Sequence, residues 1–429
     1  MIDIKKIREN YHDIVKLLKI RNQDFSINLK KIVVLDQKWR DLKTKTQVLE
    51  AKRNQNSKLI GQLIKEKNLE EVKKIKNLVS TLKVTIEKNN QLIAELEKSI
   101  DQELLSLPNI PNKSVPKGKD EDDNKKIRSW GKITKKTNKP HWEIAEKFKL
   151  IDFSRATKLS GSRFILYTNH GAKLVRALFN FMLDQHSKND YIEHLPPLIV
   201  NSNVLQGTGQ LPKFKDDQFK IENRDQYLIP TAEVPLTNIY RDEIIKYDTL
   251  PLKMCAYTPC FRLEAGSSGK DTRGIIRLHQ FNKVELVQIV KPEDSYQALE
   301  NLTQDAENIL KLLKIPYRVV TLCGGDLGFS AAKTYDIELW LPSQGRYREV
   351  SSCSNCEDFQ ARRMNLRAID ENEKKIIPHT LNGSGLAIER VLAAILENYY
   401  DEKKDLIVIP NALRPYLNNL QAIKLNEEK

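Results

Sequence analysis

The chain has 429 residues and a formal net charge of +14, with 71 Lys and Arg against 57 Asp and Glu. Its length allows two or three domains with a sizeable core, and its positive charge suits a partner that carries phosphates. A general bias towards Lys is the alternative explanation for the charge. The first residues hold no apolar signal core, no run approaches the ~20 apolar residues of a membrane span, and five Cys show no disulfide framework. We therefore expect a reduced, cytoplasmic protein.

The first quarter of the chain has the composition of long helices. Residues 1–107 contain no Pro and a single Gly, and mostly apolar residues recur there at alternating steps of three and four. One run is Ile32, Leu35, Trp39, Leu42, Thr46, Leu49, Arg53, Asn56, Ile60 and Leu63, and the other is Val72, Ile75, Val79, Leu82, Ile86, Asn89, Ile93, Leu96 and Ile100. Because the runs are close in sequence, we predict an antiparallel coiled-coil hairpin with Thr46 roughly opposite Asn89.

The predicted hairpin is basic, with 23 Lys and Arg against 15 Asp and Glu in residues 1–105. Lys52, Arg53 and Lys58 lie in sequence beside two Asn, a grouping that suits contacts to a nucleic-acid backbone. Such contacts depend on salt and hardly on base sequence. The alternative is a coil that only spaces or dimerises the protein.

A stretch with three Pro, residues 107–118, ends the predicted arm, and charged residues follow it. We thus predict an arm over residues 1–107, a linker over 108–140 and a globular domain over 141–429.

The globular domain opens with a helix and a broken strand. Apolar spacing predicts the helix over Leu174 to His186. Tyr191 to Val200 is typical of a strand, and its two Pro indicate an edge that borders something, such as another subunit. Asn203 to Phe214, with two Gly, is typical of an ordered surface loop. Thr231 and Glu233 precede a further helical run, which they could simply cap.

The stretch from Thr258 to Val287 predicts two strands joined by a loop of Gly, Ser and charged residues. The two-residue period of a strand places Arg262 and Glu264 on one face of the first strand. By the same count, one face of the second strand carries Arg277, His279, Phe281, Lys283 and Glu285. Cations, carboxylates and an aromatic ring on one face suit a polyanionic ligand better than a core.

The C-terminal part alternates between helical and strand patterns. A helix is predicted over residues 293–314, and strands over Tyr317 to Leu322, Tyr335 to Leu341 and Tyr347 to Ser352. Glu349 and Ser352 can act together only if their strand ends or bulges between them.

Two short motifs follow these strands. Cys353 and Cys356 form a CxxC without a second pair nearby, which favours an ordinary reduced turn over a zinc site. The segment LNGSGLAIER, Leu381 to Arg390, predicts a helix that opens at a Gly-Ser-Gly turn and carries Arg390.

Taken together, the Phe-Arg-x-Glu strand, the charged loop, the strand with Arg and Phe, and the Gly-x-Gly-x-x-x-x-Arg segment resemble motifs 2 and 3 of class II aminoacyl-tRNA synthetases. The preceding helix and Pro-ended strand resemble motif 1. The segments GTGQLPKF, IPTAEVPLTN, TPCFRLEAGSSGKDTRGIIRLHQFNKVE, KTYDIELW, SSCSN, DFQARRMNLR and TLNGSGLAIER are similar to seryl-tRNA synthetases in particular. With the basic hairpin, the resemblance covers nearly the whole chain.

The resemblance implies an α+β fold, in which an antiparallel sheet flanked by helices follows a long helical hairpin. It implies a homodimer joined through motif 1. The implied enzyme makes seryl-adenylate from L-serine and ATP with magnesium, and then transfers serine to tRNA(Ser). Selenocysteine tRNA is left open as a further acceptor. The hairpin would bind tRNA, with Lys52, Arg53 and Lys58 as candidate contacts.

Carried onto this sequence, the resemblance implies catalytic roles for Arg262, Arg277 and Arg390. The ATP site would comprise Arg262, Leu263, Glu264, Arg277, Phe281, Glu349, Val350, Ser351, Ser352 and Arg390. Magnesium would be held by Glu349 and Ser352. The serine site would comprise Thr231, Ala232, Glu233, Arg262, Glu285, Asn382 and Ser384. Glu389 is acidic where many relatives carry a small residue, so we expect it to turn away from the phosphates.

Two other functions compete with this interpretation. A synthetase relative that loads an amino acid onto a carrier protein would lack the long arm, which this chain has. A non-catalytic RNA-binding protein of the same fold would have lost residues among Arg262, Glu264, Glu349 and Arg390, and none is lost.

Overall fold

The computed structural model describes residues 1–133, 137–266 and 273–425. In these ranges the helices are α1 (Ile4–Glu9), α2 (Tyr11–Leu18), α3 (Ser26–Lys65), α4 (Leu69–Ser106), α5 (His141–Lys147), α6 (Phe153–Ser160), α7 (Asn169–Ser187), α8 (Ser202–Thr208), α9 (Glu233–Thr237), α10 (Ser295–Leu312), α11 (Phe359–Arg363) and α12 (Ile388–Tyr399). The strands are β1 (Lys125–Trp130), β2 (Ile192–Glu193), β3 (Ile199–Asn201), β4 (Gln226–Leu228), β5 (Ile244–Lys246), β6 (Leu252–Phe261), β7 (Gln280–Val290), β8 (Tyr317–Thr321), β9 (Lys333–Leu341), β10 (Arg346–Asn355), β11 (Arg367–Ile369), β12 (Lys375–Ile376), β13 (His379–Ala387), β14 (Tyr400–Asp401), β15 (Leu406–Val408) and β16 (Ala422–Lys424). None of these helices is long and apolar enough to cross a membrane.

The chain divides into two compact units. One comprises Ile2–Lys19 and Gln23–Leu107, and the other comprises Met1, Ile20–Asn22 and Pro108–Lys429.

The first unit contains the predicted hairpin, formed by α3 and α4. The heptad residues of both helices are buried or half-buried, whereas Val48 and Val84 between them are each 63% exposed. The seam is therefore the one that the heptad runs predict. Thr46 is buried there, and its hydroxyl donates to the carbonyl of Leu42 at 2.8 Å, so its polar group is satisfied within its own helix.

The second unit is built on an eight-stranded sheet with the order β1-β8-β9-β10-β13-β7-β6-β2. Neighbouring strands are antiparallel except for β2, which pairs in parallel with β6 at the edge of the sheet. The predictions of an antiparallel sheet, of α7 and α10 and of the strands β8, β9 and β10 are confirmed. The linker prediction is wrong for Lys125–Trp130, because β1 is an edge strand paired with β8. Its largely exposed, basic sequence carries no burial pattern to predict it.

Helices α7, α10 and α12 cover the sheet with apolar side chains. Leu178, Leu302 and Leu392, one from each helix, are fully buried in one core with Leu286 of β7 and Ile337 of β9. Burial of each such side chain stabilises the fold by roughly 2 kcal/mol as an upper estimate. This core fixes the strands whose opposite face carries the polar residues described below.

The predicted pair of strands is present as β6 and β7, but at the loop β6 ends earlier and β7 begins later than expected. β6 ends at Phe261, and β7 begins at Gln280. The backbone N–H of Leu263 leaves the ladder to donate to the carbonyl of Asp217 at 3.0 Å, and Glu264 has a left-handed backbone with φ of 53°. The strand-face argument is therefore wrong for Arg262 and Glu264, and also for Arg277 and His279, which precede β7.

The Gly-Ser-Gly segment is also not the helix-opening turn that the sequence predicts. It lies inside β13, and α12 starts only at Ile388. A side chain at Gly385 would place its Cβ 2.6 Å from Nε2 of His186, so close packing explains this glycine. The predicted loop over Asn203 to Phe214 is wrong in its first half, where α8 forms.

Candidate active site

A cavity of about 570 Å³ opens on the polar face of the sheet. Alternate residues of three adjacent strands line it, because the two-residue period puts them on one face. They are Lys283 and Glu285 of β7, Ser352 and Ser354 of β10, and Asn382 and Ser384 of β13. Thr231, Glu233, Arg262, Glu264, Arg277 and Glu349 complete the predicted residues at this wall.

A second cavity of about 620 Å³ shares Arg277, Glu349 and Ser352 with the first. Arg390 lines this second cavity rather than the first. Around it lie the further charged residues Arg318, Arg346, Arg348, Glu121, Asp122, Asp326, Asp336 and Glu338. Together the cavities form a recess. Its end beyond Glu349 carries more arginines and also more carboxylates than the other end.

The predicted arginines are held by defined partners. Arg277 Nη1 lies 2.7 Å from Glu264 Oε2, and Arg390 Nη1 lies 3.3 Å from Glu349 Oε2 and 2.7 Å from its carbonyl oxygen. Arg262 donates from Nε to the carbonyl of Pro230 at 3.3 Å. These contacts hold the guanidinium groups at the cavity walls before any ligand binds.

The Arg262 guanidinium also lies over the ring of Phe281, 5.1 Å from its centroid. Phe281 is half-buried and does not line either cavity. A base that stacks on this ring would therefore share its face with Arg262.

Glu349 and Ser352 both reach the recess because β10 bulges. The register against β9 shifts between Glu349 and Ser351, as joint action of the two residues requires. The Glu349 side chain is 48% exposed within the recess. Desolvation there would raise the pKa of Glu349, but the Arg390 and Arg262 guanidiniums outweigh it and hold that pKa below its usual value.

Next to this pair, Oδ1 of Asp336 is buried and has no hydrogen-bond partner among the described residues. Burial, and then the carboxylate of Glu349, raise the pKa of Asp336 well above its usual range. An unpartnered carboxylate oxygen beside a carboxylate and a hydroxyl forms an all-oxygen donor set.

The other end of the first cavity carries two carboxylates. Glu285 Oε2 accepts from the hydroxyl of Thr231 at 3.1 Å and lies 2.5 Å from Nζ of Lys283. Glu233 Oε1 accepts from Nδ2 of Asn382 at 3.1 Å. Burial, and then the charge of Glu285, raise the pKa of Glu233 to about 7. A small cationic ligand between these carboxylates would relieve their repulsion.

Several predicted residues support the site without lining it. Ala232 and Val350 are buried, and Leu263 is 39% exposed outside the cavities. Ser351 is buried, and its hydroxyl donates to the carbonyl of Ser384 at 2.7 Å. For the buried residues Ala232, Val350 and Ser351, any contact with a ligand would involve the backbone.

Glu389 lines neither of these two cavities, and its carboxylate is bonded elsewhere. Its carboxylate accepts from the backbone N–H of Asn282 at 2.9 Å, from the Asn282 amide at 2.8 Å and from Tyr167 at 3.1 Å. The Glu389 carboxylate therefore fixes α12 to the start of β7.

Sequence reasoning assigned no role to Lys283, Asp336 or Gln360. Lys283 lies on the predicted polar face of β7, so the strand period was the signal that could have found it. Gln360 donates to Glu233 at 2.8 Å from a different element, α11, and no local pattern predicts this contact.

The remaining predictions concern the CxxC pair and the arm. Cys353 and Cys356 are both buried, and within the described ranges no cluster of three or more His, Cys, Asp or Glu could hold a metal. On α3, Lys52 and Lys58 are exposed, while Arg53 is half-buried and donates to Oδ1 of Asn54 at 3.0 Å.

The antiparallel sheet and the arginine-lined recess define a class II aminoacyl-tRNA synthetase. The profile of the tRNA synthetase class II core domain (G, H, P, S and T) matches residues 215–399, and that of the seryl-tRNA synthetase N-terminal domain matches residues 1–111.

Relatives resolve the class further. The chain is 49% identical over 426 residues to "Serine--tRNA ligase" of Mycoplasma capricolum, covering 99% of this chain and 100% of that protein. It is 52% identical over 421 residues to "Serine--tRNA ligase" of Carboxydothermus hydrogenoformans, covering 97% and 98%. The chain therefore belongs to the seryl-tRNA synthetase family.

Solved structures agree. A crystal structure of seryl-tRNA synthetase from Pyrococcus horikoshii complexed with ATP superposes with a TM-score of 0.93 at 39% identity, covering 99% of both chains. The cytoplasmic serine-tRNA ligase of Naegleria fowleri in complex with AMP gives a TM-score of 0.87 at 29% identity, covering 100% of this chain and 99% of that one.

Proposed function

We propose that this enzyme activates L-serine with ATP to form seryl-adenylate and pyrophosphate, and then transfers the seryl group to tRNA(Ser). The observation that carries the proposal is a recess made of two cavities that share wall residues, with five arginines among carboxylates lining one cavity and Glu233 and Glu285 beside Arg262 lining the other. Such a recess suits ATP beside a small amino acid. Membership of the seryl-tRNA synthetase family identifies that amino acid as serine.

ATP occupies the arginine end in this proposal. Arg262 holds the α-phosphate, while Arg277 and Arg390 hold the outer phosphates in the second cavity. Glu264 and Phe281 bind adenine, and Leu263, Val350 and Ser351 contribute through their backbones. The ATP complex of the related Pyrococcus horikoshii enzyme supports a nucleotide here. In the structure Arg277 contacts Glu264 and Arg390 contacts Glu349. ATP would therefore bind to guanidinium groups that are already oriented.

Magnesium enters with ATP in this proposal, held by Glu349 and Ser352. The residues fit the ion, because magnesium prefers oxygen ligands and few protein groups, and the orphaned Oδ1 of Asp336 lies at the same wall. When bound, magnesium would neutralise charge on the phosphates and favour departure of pyrophosphate. The protein's part is to keep Glu349 ionised, which the Arg390 guanidinium does.

Serine binds at the carboxylate end, surrounded by Thr231, Ala232, Glu233, Glu285, Asn382 and Ser384, with Arg262 at the boundary to ATP. A serine carboxylate oxygen attacks the α-phosphorus while the bond from that phosphorus to the bridging oxygen of pyrophosphate breaks. Negative charge spreads over the phosphate oxygens, so Arg262 stabilises the transition state. Alanine would leave the partners of the serine hydroxyl unpaired, and such sites discriminate by about 10⁴ to 10⁵.

In this proposal the arm, residues 1–107, binds tRNA, and residues 141–429 with the edge strand β1 carry out catalysis. Lys52, Arg53 and Lys58 contact the tRNA backbone.

Exposed apolar residues at the edge of the sheet support a homodimer joined along β2. They are Ile192, which is 65% exposed, and Leu195, which is 91% exposed. Free, buried cysteines fit a cytoplasmic enzyme. Selenocysteine tRNA remains a second acceptor to be tested.

The decisive test is pyrophosphate exchange that depends on serine. Purified enzyme with ATP, magnesium and labelled pyrophosphate should form labelled ATP when serine is present and not when alanine or threonine replaces it. Absence of exchange with serine would refute the proposal. Exchange without charging of tRNA(Ser), combined with acylation of a carrier protein, would favour the carrier-loading alternative.

A further inference from the structure

Gln360 is a fully buried amide on α11 with three polar partners from three other segments. Its Nε2 donates to Glu233 Oε1 at 2.8 Å and to the carbonyl of Thr208 at 3.2 Å. Its Oε1 accepts from the hydroxyl of Thr380 at 2.6 Å. The opposite orientation would bring Oε1 against the carboxylate and the carbonyl, so the partners fix which way the amide points.

These bonds define one side of the Glu233 carboxylate. Among the described residues, both side-chain donors to Glu233, from Gln360 and Asn382, reach Oε1. The backbone N–H of Glu233 in turn donates to Oγ1 of Thr231 at 3.2 Å, which fixes the start of α9. The two bonds to Oε1 orient the carboxylate, and Oε2, which receives neither of them, is left for a ligand in the cavity.

We propose that Gln360 is a positioning residue for serine binding, holding Glu233 by Oε1 so that Oε2 meets the serine ammonium. The inference rests on the proposed function and deepens it. Gln360 does not line the cavity, so its effect on a ligand there goes through Glu233.

The charges around Glu233 make this role measurable. Glu285 and Lys283 face it from β7, Arg262 faces it from the end of β6, and the Cys356 thiol lies beside it. Burial and then Glu285 raise the pKa of Glu233 to about 7, and the Gln360 amide opposes the rise by bonding the ionised form. Loss of the amide should therefore raise the pKa of Glu233 further. A higher pH is then needed before its carboxylate is ionised and can bind an ammonium group.

The variant that tests the proposal is Gln360→Met, which keeps the volume and removes both polar ends. We expect the KM for serine to rise at least tenfold in pyrophosphate exchange, while the KM for ATP changes less than twofold. The ascending limb of kcat/KM for serine against pH should shift upward by about one pH unit. The matched control is Arg363→Lys on the same helix.

Arg363 donates to the carbonyls of Gln206 and Leu211, so it holds the same loop as Gln360 without bonding Glu233. The control should lower thermal stability and leave the pH midpoint for serine in place. Equal shifts of the pH midpoint in both variants, or unchanged serine kinetics in Gln360→Met, would overturn the proposal.

Two precautions separate the possible failures. Should Gln360→Met not fold, as judged by ATP binding, Thr380→Val removes the hydroxyl that orients the amide and should shift the same limb by a smaller amount. No shift in that variant would likewise overturn the proposal. Lack of serine-dependent exchange in the wild type would refute the proposed function itself, whereas an active wild type with insensitive variants refutes only the role of Gln360.

Discussion

Glu349 and Ser352 project into the same recess from one strand, although three positions separate them, because β10 bulges between Glu349 and Ser351. The bulge places a carboxylate and a hydroxyl at the common wall of the two cavities. Without the extra residue, alternation would turn one of them towards the core.

Replacement of either residue should increase the magnesium requirement. In Glu349→Gln and Ser352→Ala we expect pyrophosphate exchange at limiting magnesium to fall roughly 10- to 100-fold, with partial recovery at higher magnesium. The measurement is a magnesium titration of exchange at saturating ATP and serine.

Ser354→Ala is the control for the metal prediction, because Ser354 lines the first cavity on the same strand, and its hydroxyl pairs with that of Thr334 at 2.9 Å. Its magnesium titration should match the wild type. If the titration curves of Glu349→Gln and Ser352→Ala also match the wild type, these residues are not the magnesium ligands.

Arg262 should affect the chemical step more than substrate binding. In the proposed arrangement it lies between ATP and serine, and Arg262→Lys keeps the charge while losing the planar fork that bonds two phosphate oxygens. We expect kcat for exchange to fall roughly 10²- to 10³-fold with KM for serine changed only a few fold. A loss confined to KM for ATP would mean that Arg262 binds the ground state only.

The hairpin could be predicted residue by residue because its pattern is local. Ile86 and Ile93 are buried along the seam while Val84 is exposed, as a heptad requires. The strands β8 to β10 were also found with nearly correct bounds, since alternation and turn residues are short-range signals.

The assembly of the site is not local. Glu233, Glu285 and Asn382 come from segments that are distant in sequence. No local sequence pattern predicts the strand order β10-β13-β7-β6, which brings these segments together. The family resemblance supplied those residues. It did not supply Gln360 or the exit of Glu264 from its strand, because tertiary hydrogen bonds decide both.

His186 should make the protein sensitive to acid. It is fully buried, its Nε2 donates to the carbonyl of Gly385 at 2.7 Å, and its Nδ1 has no partner among the described residues. Burial lowers the pKa of His186 to about 4, although the bond to Gly385 opposes the shift. The unfolded chain therefore takes up a proton below about pH 6.5, while the folded chain resists it.

The resulting loss of stability grows as the pH falls from 6.5 towards 4 and reaches about 2 to 3 kcal/mol. His186→Gln keeps a donor for Gly385 and cannot titrate. We expect it to be less stable than the wild type at pH 7.5, with the gap in unfolding free energy shrinking by about that amount at pH 4.5. A gap that does not change with pH would mean that His186 is not kept neutral by burial.

The arm should contribute electrostatic contacts to tRNA and none to adenylate formation. In Lys52→Ala/Arg53→Ala/Lys58→Ala we expect serine-dependent exchange within about twofold of the wild type and a roughly 10- to 100-fold lower kcat/KM for tRNA(Ser). Loss of up to three phosphate contacts should also flatten the dependence of log Kd on log salt by about 2 to 3. Filter binding at several salt concentrations measures this slope.

A charge-matched triple on α4, Lys83→Ala/Lys88→Ala/Lys98→Ala, is the control for the arm. These lysines are exposed like Lys52 and Lys58 but lie on the other helix of the hairpin. If both triples weaken tRNA binding equally, the total charge of the arm is responsible and not the three residues on α3. If only the α3 triple variant weakens tRNA binding, and the slope of log Kd against log salt also becomes flatter in that variant, then those residues contact the tRNA backbone. Charges that make no phosphate contact release few counterions.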